Sequence, residues 1–198
     1  PDLGRVSQLD GSSFDNGTAY MAVKKMLLGD RSPYIFRTRD YGKTWTRIVT
    51  GIGAADYVHA IREDKKRAGL LYAGAEHGVY VSFDDGDHWQ TLSLNLPDVQ
   101  VSDLVVEEQD LVIATHGRSF YVLDGIESLR QVTPESMQAA VHLFEPGPAY
   151  RRSRPAAIDF RLKTAAKDVV VEVLDQDGKS VRRFAAEKLR KAGVSRVS

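Results

Sequence analysis

The chain has 198 residues, 27 Lys and Arg against 27 Asp and Glu, no Cys, and a hydrophobic fraction of 42%. At roughly 150 residues per domain this is one large domain or one and a piece, with enough apolar material to rule out wholesale disorder. A formal charge of zero gives no bulk attraction to nucleic acid or an anionic membrane, and the lack of Cys excludes disulfides, thiolate metal sites and a Cys nucleophile.

In chain order, short β-branched and aromatic runs are punctuated by Gly and Asp, which predicts strands and tight turns. Residues 5–9, 18–23, 34–38 and 44–49 make a first group of four. Residues 57–62, 70–74, 79–83 and 88–92 make a second, and 101–106, 111–115, 119–123 and 129–132 a third. Beyond them, Glu145 to Pro155 is rich in Pro and Arg and reads as linker. Strands follow at 158–162, 169–174 and 180–184, the last two joined by an Asp175-Gln176-Asp177-Gly178-Lys179 turn. Residues 185–192 form a helical turn, with Glu187 and Lys191 at i,i+4, or an extended loop.

The groups are related by a repeat. Thr38-Arg39-Asp40-Tyr41-Gly42-Lys43-Thr44-Trp45 matches Ser82-Phe83-Asp84-Asp85-Gly86-Asp87-His88-Trp89, sharing Ser/Thr-x-Asp-x-Gly-x-x-Trp at an offset of 44. A weaker third copy aligns His77-Gly78 with His116-Gly117 at an offset of 39 and lacks the Trp. Four short strands per unit at a period of about 40 residues point to β-propeller blades.

The two motifs resemble the Asp-box, or BNR repeat, of sialidases, xyloglucanases and sortilin-type propellers. Asp40–Trp45, Leu70–Gly74, Gly78–Ser82 and Thr115–Ser119 resemble large secreted bacterial propeller proteins of glycosyl-hydrolase type. The resemblance covers residues 4–130 well and continues weakly to the end. It implies an all-β chain: three four-stranded blades of a β-propeller (about 4–50, 56–94 and 99–132, within residues 1–130), then a linker at 131–157. Part of an immunoglobulin-like β-sandwich follows at 158–198. It also implies a secreted or periplasmic protein, although no signal peptide is visible in this chain. Rings of this kind need at least four blades, so the chain is expected to be a fragment. The remainder of the propeller, in the same parent chain or another, is then its first partner.

Asp40, Gly42, Trp45, Asp84, Gly86 and Trp89 are expected to be structural. Each Asp accepts bonds from its own turn, each Gly supplies a positive φ, and each Trp packs between blades. The opposite, ligand-binding end of such a fold carries the loops between second and third strands and those between blades. That places Asp56, Glu76 and Asp103 there as candidate catalytic acids, with His59, His77, His116 and Arg118 as ligand-face candidates. Glycoside hydrolysis needs two carboxylates roughly 5–10 Å apart. Sialidase-type chemistry instead uses a Tyr nucleophile, for which Tyr57 is near in sequence, and an Arg cluster that Arg118 would join. No phosphate loop, dinucleotide fingerprint, metal-ligand spacing or nucleophile elbow is present, so no cofactor or metal is expected. Neither a nucleic-acid motif nor a membrane span is seen. Two functions remain: a binding or scaffold module for peptide or glycan, not catalytic alone, and part of a carbohydrate-active hydrolase.

Overall fold

The computed structural model describes residues 3–92, 94–147, 157–185 and 190–197. The chain divides into two units, Pro1–Ile126 and Glu127–Ser198. The first is built of three antiparallel sheets. Sheet 1 is β1 (Arg5–Gly11), β2 (Ala19–Lys24), β3 (Ile35–Thr38) and β4 (Thr46–Arg47), in that order. Sheet 2 is β5 (Val58–Glu63), β6 (Leu71–Ala75), β7 (Gly78–Ser82) and β8 (Gln90–Thr91). Sheet 3 has only β9 (Val101–Val106), β10 (Leu111–Thr115) and β11 (Phe120–Leu123).

The first hairpin of every sheet carries the same irregularity. The register slips between Val6 and Gln8, between Val58 and Ala60, and opposite Val101 and Asp103. One residue bulges out at each place: Ser7, His59 and Ser102. Structural equivalence follows from the register. Val6, Leu9 and Gly11 lie 52 residues before Val58, Ile61 and Glu63, and Ala19, Met21 and Val23 lie 52 before Leu71, Ala73 and Ala75. In sheet 3, β10 follows β6 by 40 residues, so that Leu111, Ile113 and Thr115 match Leu71, Ala73 and Ala75. This corrects the sequence alignment of His77 with His116. Glu76 N donates to Tyr57 O at 3.1 Å and His116 N to Gln100 O at 2.9 Å, which makes Glu76 the counterpart of His116. The cause is turn length. Ala75 pairs with Gly78 across two residues, whereas Thr115 bonds Ser119 across three.

The sheets stack face to face in chain order. The core between sheets 1 and 2 joins Tyr20, Ala22, Ile35 and Ile48 to Val58, Ile61, Leu71, Ala73, Ala75, Tyr80 and Trp89. Between sheets 2 and 3 the backbones come so close that a Cβ on Gly74 would lie 2.7 Å from Val101 Cγ1, which is why β6 carries Gly there. The first strands are also stitched edge to edge. Gln8 Oε1 and Asp10 Oδ2 each accept, at 2.8 Å, the outward amides of Ile61 and Glu63. Arg62 Nε donates to Leu104 O at 2.9 Å. Side chains of each first strand thus satisfy edge groups of the next, which would otherwise be open to pairing.

The two outer faces lack this cover. Val6 and Leu9, counterparts of the fully buried Val58 and Ile61, are 53% and 60% exposed. On sheet 3 the paired residues Val105, Val112 and Val122 and the neighbouring Phe120 form an apolar face on which Phe120 is 72% exposed.

The fourth strand expected at 129–132 is not formed. Glu127–Arg130 is a short helix, α1, closed by an Arg130–Glu127 ion pair at 2.9 Å. Gln131 then exchanges two bonds with the backbone of Glu145, at 2.8 and 2.9 Å. These residues are committed to the second unit. A second helix, α2 (Pro134–Gln138), opens on a Thr133–Ser136 capping box. The strand β12 (Val141–Leu143) then pairs with β13 (Ile158–Leu162), which pairs on its other edge with β16 (Gly193–Val197). Residues 131–147, expected as linker, are therefore folded. Residues 148–156, the Arg- and Pro-rich part, and Glu187 of the expected i,i+4 pair lie outside the described residues.

The predicted hairpin is present as β14 (Val171–Leu174) and β15 (Ser180–Phe184). Asp175 Oδ1 accepts the amides of Asp177 and Lys179 at 3.0 and 2.9 Å in its turn. Phe160, Leu162 and Val197 form the core of this unit, and Asp159 holds Arg196 through two bonds of 2.6 and 2.7 Å.

Candidate functional site

The two repeated turns are superimposable in their bonding. Thr38 Oγ1 and Ser82 Oγ each donate to the motif aspartate, Asp40 or Asp84, at 2.8 Å. The same hydroxyls accept the amides of Gly42 and Gly86 at 3.0 and 2.9 Å. Each aspartate then accepts the amide of the residue four on, Thr44 at 2.8 Å and His88 at 2.9 Å. The backbone turns left-handed at Tyr41-Gly42 (φ 61° and 83°) and at Asp85-Gly86 (φ 60° and 89°). The spacing Ser/Thr-x-Asp-x-Gly is the minimum that lets one hydroxyl and one carboxylate saturate the turn's own donors.

Only the second turn packs onto a preceding sheet. Trp89 is 5% exposed, and its indole donates to Ile48 O at 3.0 Å. Gly51 lies so close that a Cβ there would be 2.1 Å from Trp89 O. Asp85 reaches back to Arg37 and Arg39 of sheet 1 and accepts Tyr20 Oη at 2.5 Å. Trp45, the counterpart of Trp89, is only partly buried and donates to Gly42 O of its own turn at 3.1 Å. In each turn the motif aspartate spends most of its acceptor capacity within its own loop.

The opposite end of the sheets gathers ionisable groups from all three. The bulge in β5 sends His59 into the seam between sheets 1 and 2, where its side chain is 5% exposed. His59 Nδ1 accepts from Lys24 Nζ at 3.0 Å, at the end of β2, and from Gln100 Nε2 at 3.3 Å, just before β9. Because Lys24 can only donate, Nδ1 carries no proton, and Nε2–H donates to Glu76 Oε2 at 3.3 Å. Tyr57 packs its ring 4.9 Å from the imidazole, with its hydroxyl near Glu76. The result is a hydrogen-bonded chain Lys24–His59–Glu76, with Tyr57 packed against it.

The environment fixes the charge states. Burial, then Lys24, pulls the His59 pKa down, so the imidazole is neutral at pH 7. Burial and the neighbouring Arg5 lower that of Lys24. Burial and the nearby Glu76 carboxylate push Tyr57 up to about 12.

The other predicted residues fare differently. Asp56, 5% exposed, accepts Tyr80 Oη at 2.7 Å and the amide of His77 at 3.0 Å. It braces the loop that holds Glu76. Asp103 accepts from Leu104 N at 2.8 Å, Gln8 Nε2 at 3.2 Å and Arg62 at 3.3 Å. His77 is exposed and pairs with Asp98 at 2.9 Å, which raises its pKa. The side chains of His116 and Arg118 are exposed on the β10–β11 turn. Glu76, His59 and Tyr57 are thus brought together, and Asp56 supports them from behind.

The sequence places residues 24–33 and 95–103 at this end without singling out Lys24 or Gln100, and gives no sign of Arg5. The signal was there: Lys24 lies 52 residues before Glu76, the offset that relates β2 to β6. Among the described residues no group of three or more His, Asp or Glu is placed to hold a metal ion, and no helix is long and apolar enough to cross a membrane.

No protein-family model matches the chain, and no curated protein matches it. Among solved structures it is similar to the GH74 xyloglucanase of Xanthomonas campestris (13% identity, TM-score 0.48, 81% of this chain and 27% of that one). A GH74 enzyme of Niastella koreensis gives 14% identity, TM-score 0.47, and coverage of 91% and 30%. YCF48 from Cyanidioschyzon merolae gives 14% identity, TM-score 0.42, and coverage of 94% and 57%. The chain spans about a quarter to somewhat over half the length of these three proteins, and the likeness is one of chain path alone.

Proposed function

We propose that residues 3–126 are consecutive blades of an Asp-box β-propeller that acts as a binding or scaffold module. In this reading the Lys24–His59–Glu76–Tyr57 end faces a peptide or glycan ligand, and the isolated chain is not catalytic. The observation that carries the reading is the state of the acids. Asp56 is buried against Tyr80 and His77, Asp103 is half exposed but holds Arg62 and Gln8, and Glu76 holds the buried His59. A glycosidase needs two carboxylates facing one bond across a gap of roughly 5–10 Å, and here two of the three are engaged as braces.

Supporting the propeller reading is the asymmetry of the flanks. The face that sheet 1 leaves open carries Val6, Leu9 and Trp45, whose counterparts in sheet 2 are buried under the sheet before. The remainder of the ring, in the parent chain or another, covers it. The immunoglobulin-like character of the second unit and a secreted or periplasmic location belong to the same proposal and rest on the family resemblance.

The test pairs two assays on the purified chain. Hydrolysis of aryl-glycosides and sialosides is expected at background, beside Asp56→Asn, Glu76→Gln and Asp103→Asn. Binding to peptide and glycan arrays is expected, and weakened by His59→Ala. Turnover abolished by one of the three acid substitutions would replace this reading with the hydrolase.

A further inference from the structure

At the end of sheet 1 two cations stand directly opposite each other. Arg5 and Lys24 are cross-strand partners in the β1–β2 register, a placement that is unfavourable for like charges. Among the described residues neither cation forms an ion pair, although the Glu76 charge acts on Lys24 from a distance. Lys24 spends its hydrogen bond on a neutral acceptor, His59 Nδ1 at 3.0 Å. Glu76, the acid of this cluster, bonds His59 Nε2 through its Oε2 at 3.3 Å. Arg5 is exposed to solvent, and a third cation, Arg31, lies close enough to act on Tyr57. By contrast Lys25, the next residue, is neutralised locally by Asp30 at 3.7 Å.

We propose that the Arg5–Lys24 pair is the subsite for a carboxylate on the ligand of this surface. The proposal rests on the binding reading above and adds the chemical class of the ligand, an acidic sugar or an acidic peptide group. A carboxylate offers two oxygens to two cations, and its single charge suits a site that already holds Glu76. A phosphate dianion would meet Glu76 with a second negative charge. The pair is held for this use by its surroundings. Tyr57, Gln100 and the braced Asp56 fix His59 and Glu76, and His59 orients the Lys24 ammonium without neutralising it.

The experiment is titration of the full chain with glucuronate, glucose and inorganic phosphate, followed by NMR of the backbone amides at residues 5 and 24 and of the His59 imidazole. Glucuronate is expected to shift these signals to saturation, and glucose to leave them unmoved. Lys24→Gln, which keeps a donor for His59, should weaken glucuronate binding by about tenfold or more, whereas Lys43→Gln on the distant turn should not. Lys24→Gln should also raise the melting temperature, because it removes a like-charge contact. A purely structural Lys24 predicts the reverse, a lower melting temperature with no change in binding. Equal shifts with glucose would overturn the charge assignment while leaving the glycan reading intact. Tighter binding of phosphate would overturn the carboxylate class, and no response to any of the three probes would overturn the subsite.

Discussion

Replacing Trp89 with Ala tests whether consecutive sheets are fastened as described. The side chain is 5% exposed and lies in the core between sheets 1 and 2. A tryptophan buries on the order of 200 Å², which at about 25 cal/mol per Å² gives an upper bound near 5 kcal/mol. Measured Trp-to-Ala costs in cores run about 3–5 kcal/mol, including the cavity left behind. The indole bond to Ile48 O is lost as well, leaving that carbonyl to find water. The expected loss is about 4 kcal/mol, or roughly 10 °C in melting temperature for a chain of this size. Trp45→Ala, at the equivalent turn with no sheet over it, is expected to cost about 1 kcal/mol. Urea unfolding gives the measurement, followed by the fluorescence of whichever of the two tryptophans remains. Equal losses at the two positions, or a loss below about 0.5 kcal/mol at Trp89, would refute the fastening.

Gly51→Ala should cost about 2–4 kcal/mol, because a Cβ there would lie 2.1 Å from Trp89 O at φ +100°. Gly29→Ala, with φ +78° and nothing within 4 Å, should cost only about 1 kcal/mol, and thermal denaturation separates the two. His59 is held neutral with a lowered pKa, so the unfolded chain takes up its proton first as pH falls below about 6.5. Stability should therefore be full above that pH and decline below it, by at most about 1.4 kcal/mol per pH unit, until the folded-state pKa is reached. His59→Gln should remove this component from the stability difference measured between pH 7.5 and 5, and an unchanged profile would show that the imidazole is not buried neutral.

The sequence by itself determined the local structure of the repeat. A hydroxyl, an aspartate and a glycine at spacings of two and four residues are enough to close each turn, since every bond in it is made within eight residues. The β-branched and aromatic runs bounded by Gly and Asp placed most strands, although β6 and β7 are buried on both faces and show no alternation. Tertiary structure decided the rest. Fourth strands shrank to Thr46–Arg47 and Gln90–Thr91, and residues 129–132 were drawn into the second unit by Gln131 and its partner Glu145.

The same holds for the site. Glu76, His59 and Tyr57 could be singled out as chemically able residues on the loop end, but their partners Lys24 and Gln100 stand 35 and 41 positions from His59. Which of the identical motifs would be buried was also invisible. Trp45 and Trp89 sit in the same local pattern, and the presence of a preceding sheet alone makes one a core residue and leaves the other half in solvent. Burial is a property of what lies across the interface, and no spacing within a turn encodes it.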